Sequence, residues 1–400
     1  MFVGEAGLGF GGGPRGGRVL RVSGGKTEVV AEGFAQPLNG LVVHEDRIYV
    51  SEGGAGRITS IDLDGQNPTP IVEGMPGPGN YHTNTAVVGP DGRLYFTQGA
   101  MTNMGIVGLD AYEMGWLRRL PHAHDVPGLD MVLTGVNVTT NNPLPEIAEE
   151  TVATGAFSPF GTATGPGQVV PAGTPPTAAV MRCNPDGSEL ELVAWGVRNG
   201  YGIGFLPDGR LIVIDQGADD RGSRPIGNAP DLVWEIQPDR WYGWPDFVGG
   251  IPVTDPQFKP ERGPALTFLL ANHDSLPAPE KALYRFEPHA AAVKFAVVPE
   301  SIGKHAGKLL VALFGDEAPM TAPAGSPKVG RSLALLDPAT WTRQTLVMGA
   351  PLSRPIDVAF KPGDEAAYVL DFGHFEMSVQ GVVATAGTGK VYRWGGWARA

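Results

Sequence analysis

The chain has 400 residues, a formal net charge of −12, and 42% hydrophobic against 18% charged residues. This is enough apolar material for a complete core, and the acidic balance argues against a nucleic-acid or anionic-membrane partner. A single cysteine, Cys183, excludes an internal disulfide and a thiolate metal cluster.

From the N-terminus, MFVGEAGLGFGGGPRGG has no charged segment leading into an apolar one, so a signal peptide is not expected. No later stretch reaches the roughly 18 apolar residues of a membrane helix, so no membrane span is expected. Glycine (58) and proline (37) are spread between short apolar runs, which reads as turns between strands, and no long amphipathic helix pattern occurs.

One theme recurs along the chain: an apolar strand, a turn, a second apolar strand, then glycine. Its copies are FVGEAG (2–7, without the leading strand), NGLVVHEDRIYVSEGG (39–54), NTAVVGPDGRLYFTQGA (84–100) and YGIGFLPDGRLIVIDQG (201–217). Looser copies follow at 292–316 and 355–373. Most are followed by a third and often a fourth strand, which is the grammar of a propeller blade. Six copies predict an all-β fold, one six-bladed β-propeller over 1–400, with a first blade that begins one strand short. The uneven spacing predicts long loop excursions over one face, at about 101–177 and 246–288.

The stretch 193–250 holds the densest chemistry. Arg198-Asn199 stands before the strand GIGFL, Pro207-Asp208-Gly209 turns the chain into RLIVID, and a Gly/Asp/Arg-rich loop follows at 217–230. A guanidinium and a carboxamide at one end of a hairpin, beside a loop rich in oxygen ligands, can receive an anion and a hard cation. Arg198 can equally bridge two blades as a structural residue. Asp219 and Asp220 read either as helpers of a cation through water or as a solvated turn with Asp220 paired to Arg221 or Arg224. His82 precedes the first strand of the third copy, where blades face the central channel. A neutral imidazole there can act as a base, or can cap a backbone group. Trp241, Tyr242, Trp244 and Pro245 read as strand-end packing more than as a ligand wall. His122, His124 and Asp125 have the residue types of a metal site but no established zinc spacing, and read as a loop above the channel. His289 is a further residue that could face it.

GVRNGYGIGFLPDGRL, IDQGADD and WYGWPDFVGG together resemble the glucose/sorbosone dehydrogenase family, soluble six-bladed quinoproteins that use pyrroloquinoline quinone (PQQ). The resemblance implies a PQQ-dependent oxidoreductase acting on an aldose or a related alcohol or aldehyde, with an external electron acceptor and a periplasmic or secreted location. It implies His82 as the catalytic base and Arg198, Asn199 and Arg354 as cofactor contacts. It also implies the main-chain carbonyls of Gly217 and Ala218 as ligands of a calcium ion. Three departures are visible: His82 lies seven residues before Gly89, one closer than is usual, Ala218 stands where a proline is common, and Ile356 where a second arginine is expected. Two other readings share the architecture. One is a calcium-dependent lactonase using Glu52, Asn84, Asn199 and Asp215; the other is a propeller that binds without a cofactor.

Overall fold

A computed structural model describes residues 1–7, 16–145, 147–346, 351–378 and 381–397. The glycine tract at 10–17 lies almost wholly outside them. Six antiparallel sheets follow one another around an axis. Blade 1 comprises Phe2–Glu5, Gly17–Ser23 and Lys26–Phe34. Blade 2 comprises Leu38–His44, Arg47–Glu52, Arg57–Asp62 and Thr69–Val72. Blade 3 pairs Thr83–Val88 and Leu94–Gln98 with Ala179–Cys183 and Glu191–Trp195, which lie beyond the first excursion. Blade 4 comprises Gly200–Phe205, Leu211–Asp215, Pro230–Ile236 and Tyr284–Pro288. Blade 5 comprises Ala292–Val297, Leu309–Leu313, Ser332–Asp337 and Thr342–Leu346. Blade 6 comprises Pro355–Phe360, Ala367–Asp371 and Lys390–Trp394. The molecule is a six-bladed β-propeller. The last strand of blade 4 falls inside the 246–288 stretch, and two excursions that the spacing did not announce lie within blades 5 and 6.

The strand sequences match their lanes. Second strands have a neighbouring blade on either face, and LYFTQ, LIVID and LLVAL are buried at every position. That is why they read as near-continuous apolar runs. Outer strands have fewer neighbours, and TRQTL and TPIV are largely exposed. The hairpin turns behave as their residues dictate. Asp91 and Asp208 each accept the backbone N–H two residues on, at 3.2 Å, and Gly92 and Gly209 take φ of 76° and 89°.

Among the described residues blades 1 and 6 have three strands each, and in blade 1 the missing lane is the inner one. Phe2–Glu5 stands against the inner strand of blade 2 as the second strands of blades 2 and 5 stand against the inner strands that follow them. Its innermost lane is therefore vacant among the described residues, and no strand of blade 6 pairs with blade 1 there.

The excursion at 101–177 is anchored, not draped. Trp116, Leu117, Val107, Leu144 and Phe160 form a core of their own within it. Arg224 reaches up from blade 4 to the carbonyls of Met104 (2.9 Å) and Pro245 (3.0 Å). Its other end meets Asp246 at 3.0 Å, a fully buried carboxylate that also accepts the N–H of Leu269 and Leu270 and faces His273 at 3.1 Å. Asp246→Ala strands a buried guanidinium and two backbone donors at once. A loss of about 3–5 kcal/mol in urea unfolding is expected; a loss below ~1 kcal/mol would show that this contact does not hold the excursion down.

Candidate active site

The placing of Arg198-Asn199 begins with a carboxylate. Asp215 ends the second strand of blade 4 and accepts the N–H of Asn199 (2.7 Å), the N–H of Arg198 (3.3 Å) and the Trp234 indole N–H (3.2 Å). Burial pushes its pKa up to about 6 against the pull of these donors. The residues ahead of the inner strand thus have one backbone path, and the Arg198 side chain is delivered to the channel.

Every N–H of the Arg198 guanidinium is then spent. Nε donates to Asn103 O at 3.0 Å, and Nη1 to Gln216 O at 3.1 Å and Gly217 O at 2.8 Å. Nη2 donates to Asn103 Oδ1 at 2.6 Å and to the Tyr81 hydroxyl, and lies 3.5 Å from Asp219 Oδ2. The guanidinium carbon stacks 4.3 Å from the Tyr81 ring centroid. Behind it Arg221 donates to Asp219 (2.9 Å), Asp110 (3.2 Å) and the same tyrosine hydroxyl (2.9 Å). Burial pushes Asp219 up, but Arg221 and Arg198 outweigh it and hold the carboxyl below its usual range.

Asn199 belongs to a chain of carboxamides instead. Its Nδ2 donates to Gln216 Oε1 at 2.7 Å, and its Oδ1 accepts from Asn84 at 3.1 Å. Asn84 Oδ1 accepts in turn from Asn39 at 3.5 Å. The chain links the inner edges of blades 2, 3 and 4.

His82 sits where two glycines make room. A Cβ at Gly53 would lie 2.7 Å from His82 Cβ, and one at Gly99 2.5 Å from Tyr81 Cβ. Both glycines close the strand-turn-strand-glycine theme. The imidazole is half-buried in the cavity wall, and no described residue hydrogen-bonds to either ring nitrogen. Burial, with a smaller contribution from the Arg119 cation, lowers its pKa to about 4, so the ring is neutral through the ordinary pH range.

His82, Arg198 and Gly217 line one axial cavity of about 2220 Å³, together with Tyr81, Gln216, Asp219, His289, Lys294, Glu317 and Ile356. Asn199, Ala218 and Arg354 stand behind its wall. Ala218 packs in the core at 4% exposure. The Arg354 side chain is 1% exposed and donates to the carbonyls of Phe314, Gly315, Asp316 and Phe375, with Glu376 at 3.3 Å. It braces blade 5 against blade 6. Asp220 pairs with neither Arg221 nor Arg224; it accepts the N–H of Glu261 and Arg262. Asp125 is buried on the N–H of Met101 and the hydroxyls of Thr102 and Thr177, and the tryptophans at 241 and 244 pack with Trp195 and Phe157.

Of the lactonase set, Asn84, Asn199 and Asp215 meet, but both acids are already engaged. Glu52 is taken by Ala35 N, Arg57 and Thr59, and Asp215 by its backbone donors. Among the described residues no three His, Cys, Asp or Glu side chains gather as a metal site. The calcium ion implied by the resemblance does not fit either. The Gly217 oxygen already accepts from Arg198, and a dication on it would stand ~5 Å from a permanent positive charge. At an effective dielectric near 20 that repulsion is roughly 7 kcal/mol.

Tyr81, Asn103, Gln216 and Arg221 were not legible as site residues. Gln216, between Asp215 and Gly217, carried the one available signal: it directly follows the strand whose end places Arg198.

No protein-family model matches the sequence, and no curated protein matches it. Solved structures share the fold. The PQQ-bound aldose sugar dehydrogenase of Streptomyces coelicolor aligns over 94% of this chain and 87% of its own, with TM-score 0.52 and 15% identity. A putative oxidoreductase (glucose dehydrogenase) of Thermus thermophilus aligns over 95% and 91%, with TM-score 0.52 and 17% identity. The PQQ domain of pyranose dehydrogenase from Coprinopsis cinerea, in its holo form, aligns over 95% and 87%, with TM-score 0.54 and 14% identity. At these identities the likeness is one of fold, and the fold is that of soluble PQQ-dependent sugar dehydrogenases.

Proposed function

We propose that the protein is a quinoprotein oxidoreductase that oxidises an aldose or a related alcohol or aldehyde, with PQQ held in the axial cavity and electrons passed to an external acceptor. The carrying observation is His82: a neutral imidazole with neither nitrogen engaged by a described residue, on the same cavity as a group of cations.

The donor chemistry fits the organic cofactor. Its carboxylates need N–H groups with capacity left, and Arg198 has none. Arg119 lines the cavity, spends its Nε on Gly115 O, and has two Nη groups that no described residue engages. Lys294 spends its ammonium on Asn39 O at 2.9 Å and Asp357 at 3.2 Å and keeps a third N–H. Arg119 and Lys294 are the residues that would hold it. When bound, the quinone supplies the two-electron, hydride-accepting chemistry.

The chain supplies the rest. A His82 ring nitrogen takes the proton of the substrate hydroxyl. The Arg198 charge, fixed by five hydrogen bonds, provides a field that needs no reorganisation during reaction. An anion paired to Arg119 offsets the cation beside His82 and raises the basicity of the ring. The fold likeness, rather than any single side chain, supports a sugar as substrate, and the same likeness supports the periplasmic or secreted location.

Adding PQQ to the purified chain, with and without calcium, is expected to shift the quinone absorption band and to give sugar-dependent dye reduction. Absence of both under either condition removes the reading in favour of a cofactor-less binding propeller. His82→Asn is expected to keep the band shift and lower kcat by about 10²–10⁴-fold; equal turnover would assign the proton to another group. In the cofactor-free chain, NMR titration of the His82 imidazole is expected to give a pKa of about 4. Arg119→Met removes a cation that disfavours protonation, so the value rises. A lower or unchanged value would show that Arg119 does not act on the ring.

A further inference from the structure

We infer that the carbonyl pair of Gln216 and Gly217 is a cation seat which the chain fills itself, with the guanidinium of Arg198, so that no divalent ion binds there. The inference stands on the ligand-free chain and is independent of the quinone reading.

The oxygens around Arg198 are the donor set of a hard-cation site. Asn103 contributes its carbonyl and its Oδ1, Gln216 and Gly217 their carbonyls, and Tyr81 its hydroxyl, with an Asp219 carboxylate oxygen 3.5 Å off. Calcium takes six to eight such oxygens. Here five N–H groups of one side chain meet five of them, which is the full donor capacity of arginine.

The guanidinium cannot readily leave. Its backbone N–H is tied to Asp215, its plane lies on Tyr81, and it is 4% exposed. Nor can the carbonyls turn away. Gly217 N donates to Asp231 at 2.8 Å, and a Cβ on Gly217 would meet Ala229 O at 2.6 Å and Pro230 O at 2.7 Å. The acids nearest the guanidinium are themselves engaged. Asp219 Oδ2 is engaged by Arg221 and Arg198, and the two Asp231 oxygens accept from Gly217 and from Ala292 at 2.7 Å. Arg198 and Arg221 already pair with Asp219 and Asp110. A guanidinium also keeps its charge at any working pH and cannot be chelated away.

Terbium(III) luminescence of the full chain, excited through its aromatic residues, tests this. Trp244 donates to Asn103 O at 3.3 Å, and Tyr81 touches Arg198, so an ion in the seat lies beside both sensitisers. The wild-type chain is expected to give no saturable emission at sub-millimolar terbium and no change in Tm between millimolar calcium and chelator. Arg198→Met uncovers the oxygens and is expected to gain saturable emission that calcium competes away. Arg198→Lys keeps a cation in place and is expected to stay dark. Saturable emission in wild type, or equal emission in wild type and Arg198→Met, overturns the inference. Should Arg198→Met not fold, a calcium-dependent rise in the wild-type Tm overturns it and an unchanged Tm supports it.

Discussion

A buried carboxylate that caps the backbone ahead of an inner strand is the constraint on which the rest of the molecule depends. Asp215 does this in blade 4. Asp371 does it in blade 6, accepting the N–H of Ser353 (2.7 Å), Arg354 (3.0 Å) and Gly373 (2.8 Å). Glu52 accepts Ala35 N at 2.6 Å before blade 2, and Asp231 accepts Ala292 N at 2.7 Å at the start of blade 5. Each acid closes backbone donors that the turn between blades would leave unpaired, and each fixes where the next blade begins. The energetic weight lies in the alternative: a donor left bare in a buried turn costs about 1–3 kcal/mol.

The same device delivers two arginines to two different ends. Arg198 and Arg354 stand in corresponding places, one residue or two before an inner strand, and both backbone N–H groups are capped by the acid that ends the second strand. Arg198 extends into a channel wall of carbonyl and hydroxyl oxygens. Arg354 extends beneath the loop at 314–316 and the hairpin at 375–376, and is consumed by carbonyls there. Position in the repeat therefore sets where the backbone goes, and the local loop decides whether the side chain meets ligand or protein.

This divides what was legible from what was not. The six-fold repetition and the Asp-Gly turns could be read because each is written in consecutive residues. His82, Arg198 and Gly217 could be placed on the axis because each adjoins an inner or second strand. Arg354 could not be told from Arg198, because the carbonyls that bind it belong to another blade. Tyr81, Asn103 and Arg221 meet across separations of more than a hundred residues, and nothing local marks them. The Arg198 contact on Gly217 was hidden for a related reason. A backbone oxygen looks available in any sequence, and only the fold shows which donor already holds it.

Among the described residues the space beside the first strand of blade 1 belongs to the axial cavity. Val3, Leu20 and Val22 on one flank and Tyr368, Leu370 and Val391 on the other line the same space as His82 and Arg198. Among the described residues the axial well therefore extends along Phe2–Glu5. There the backbone polar groups on one edge of Phe2–Glu5 have no strand beside them among the described residues, and unpaired edges of this kind are where extended polypeptide adds.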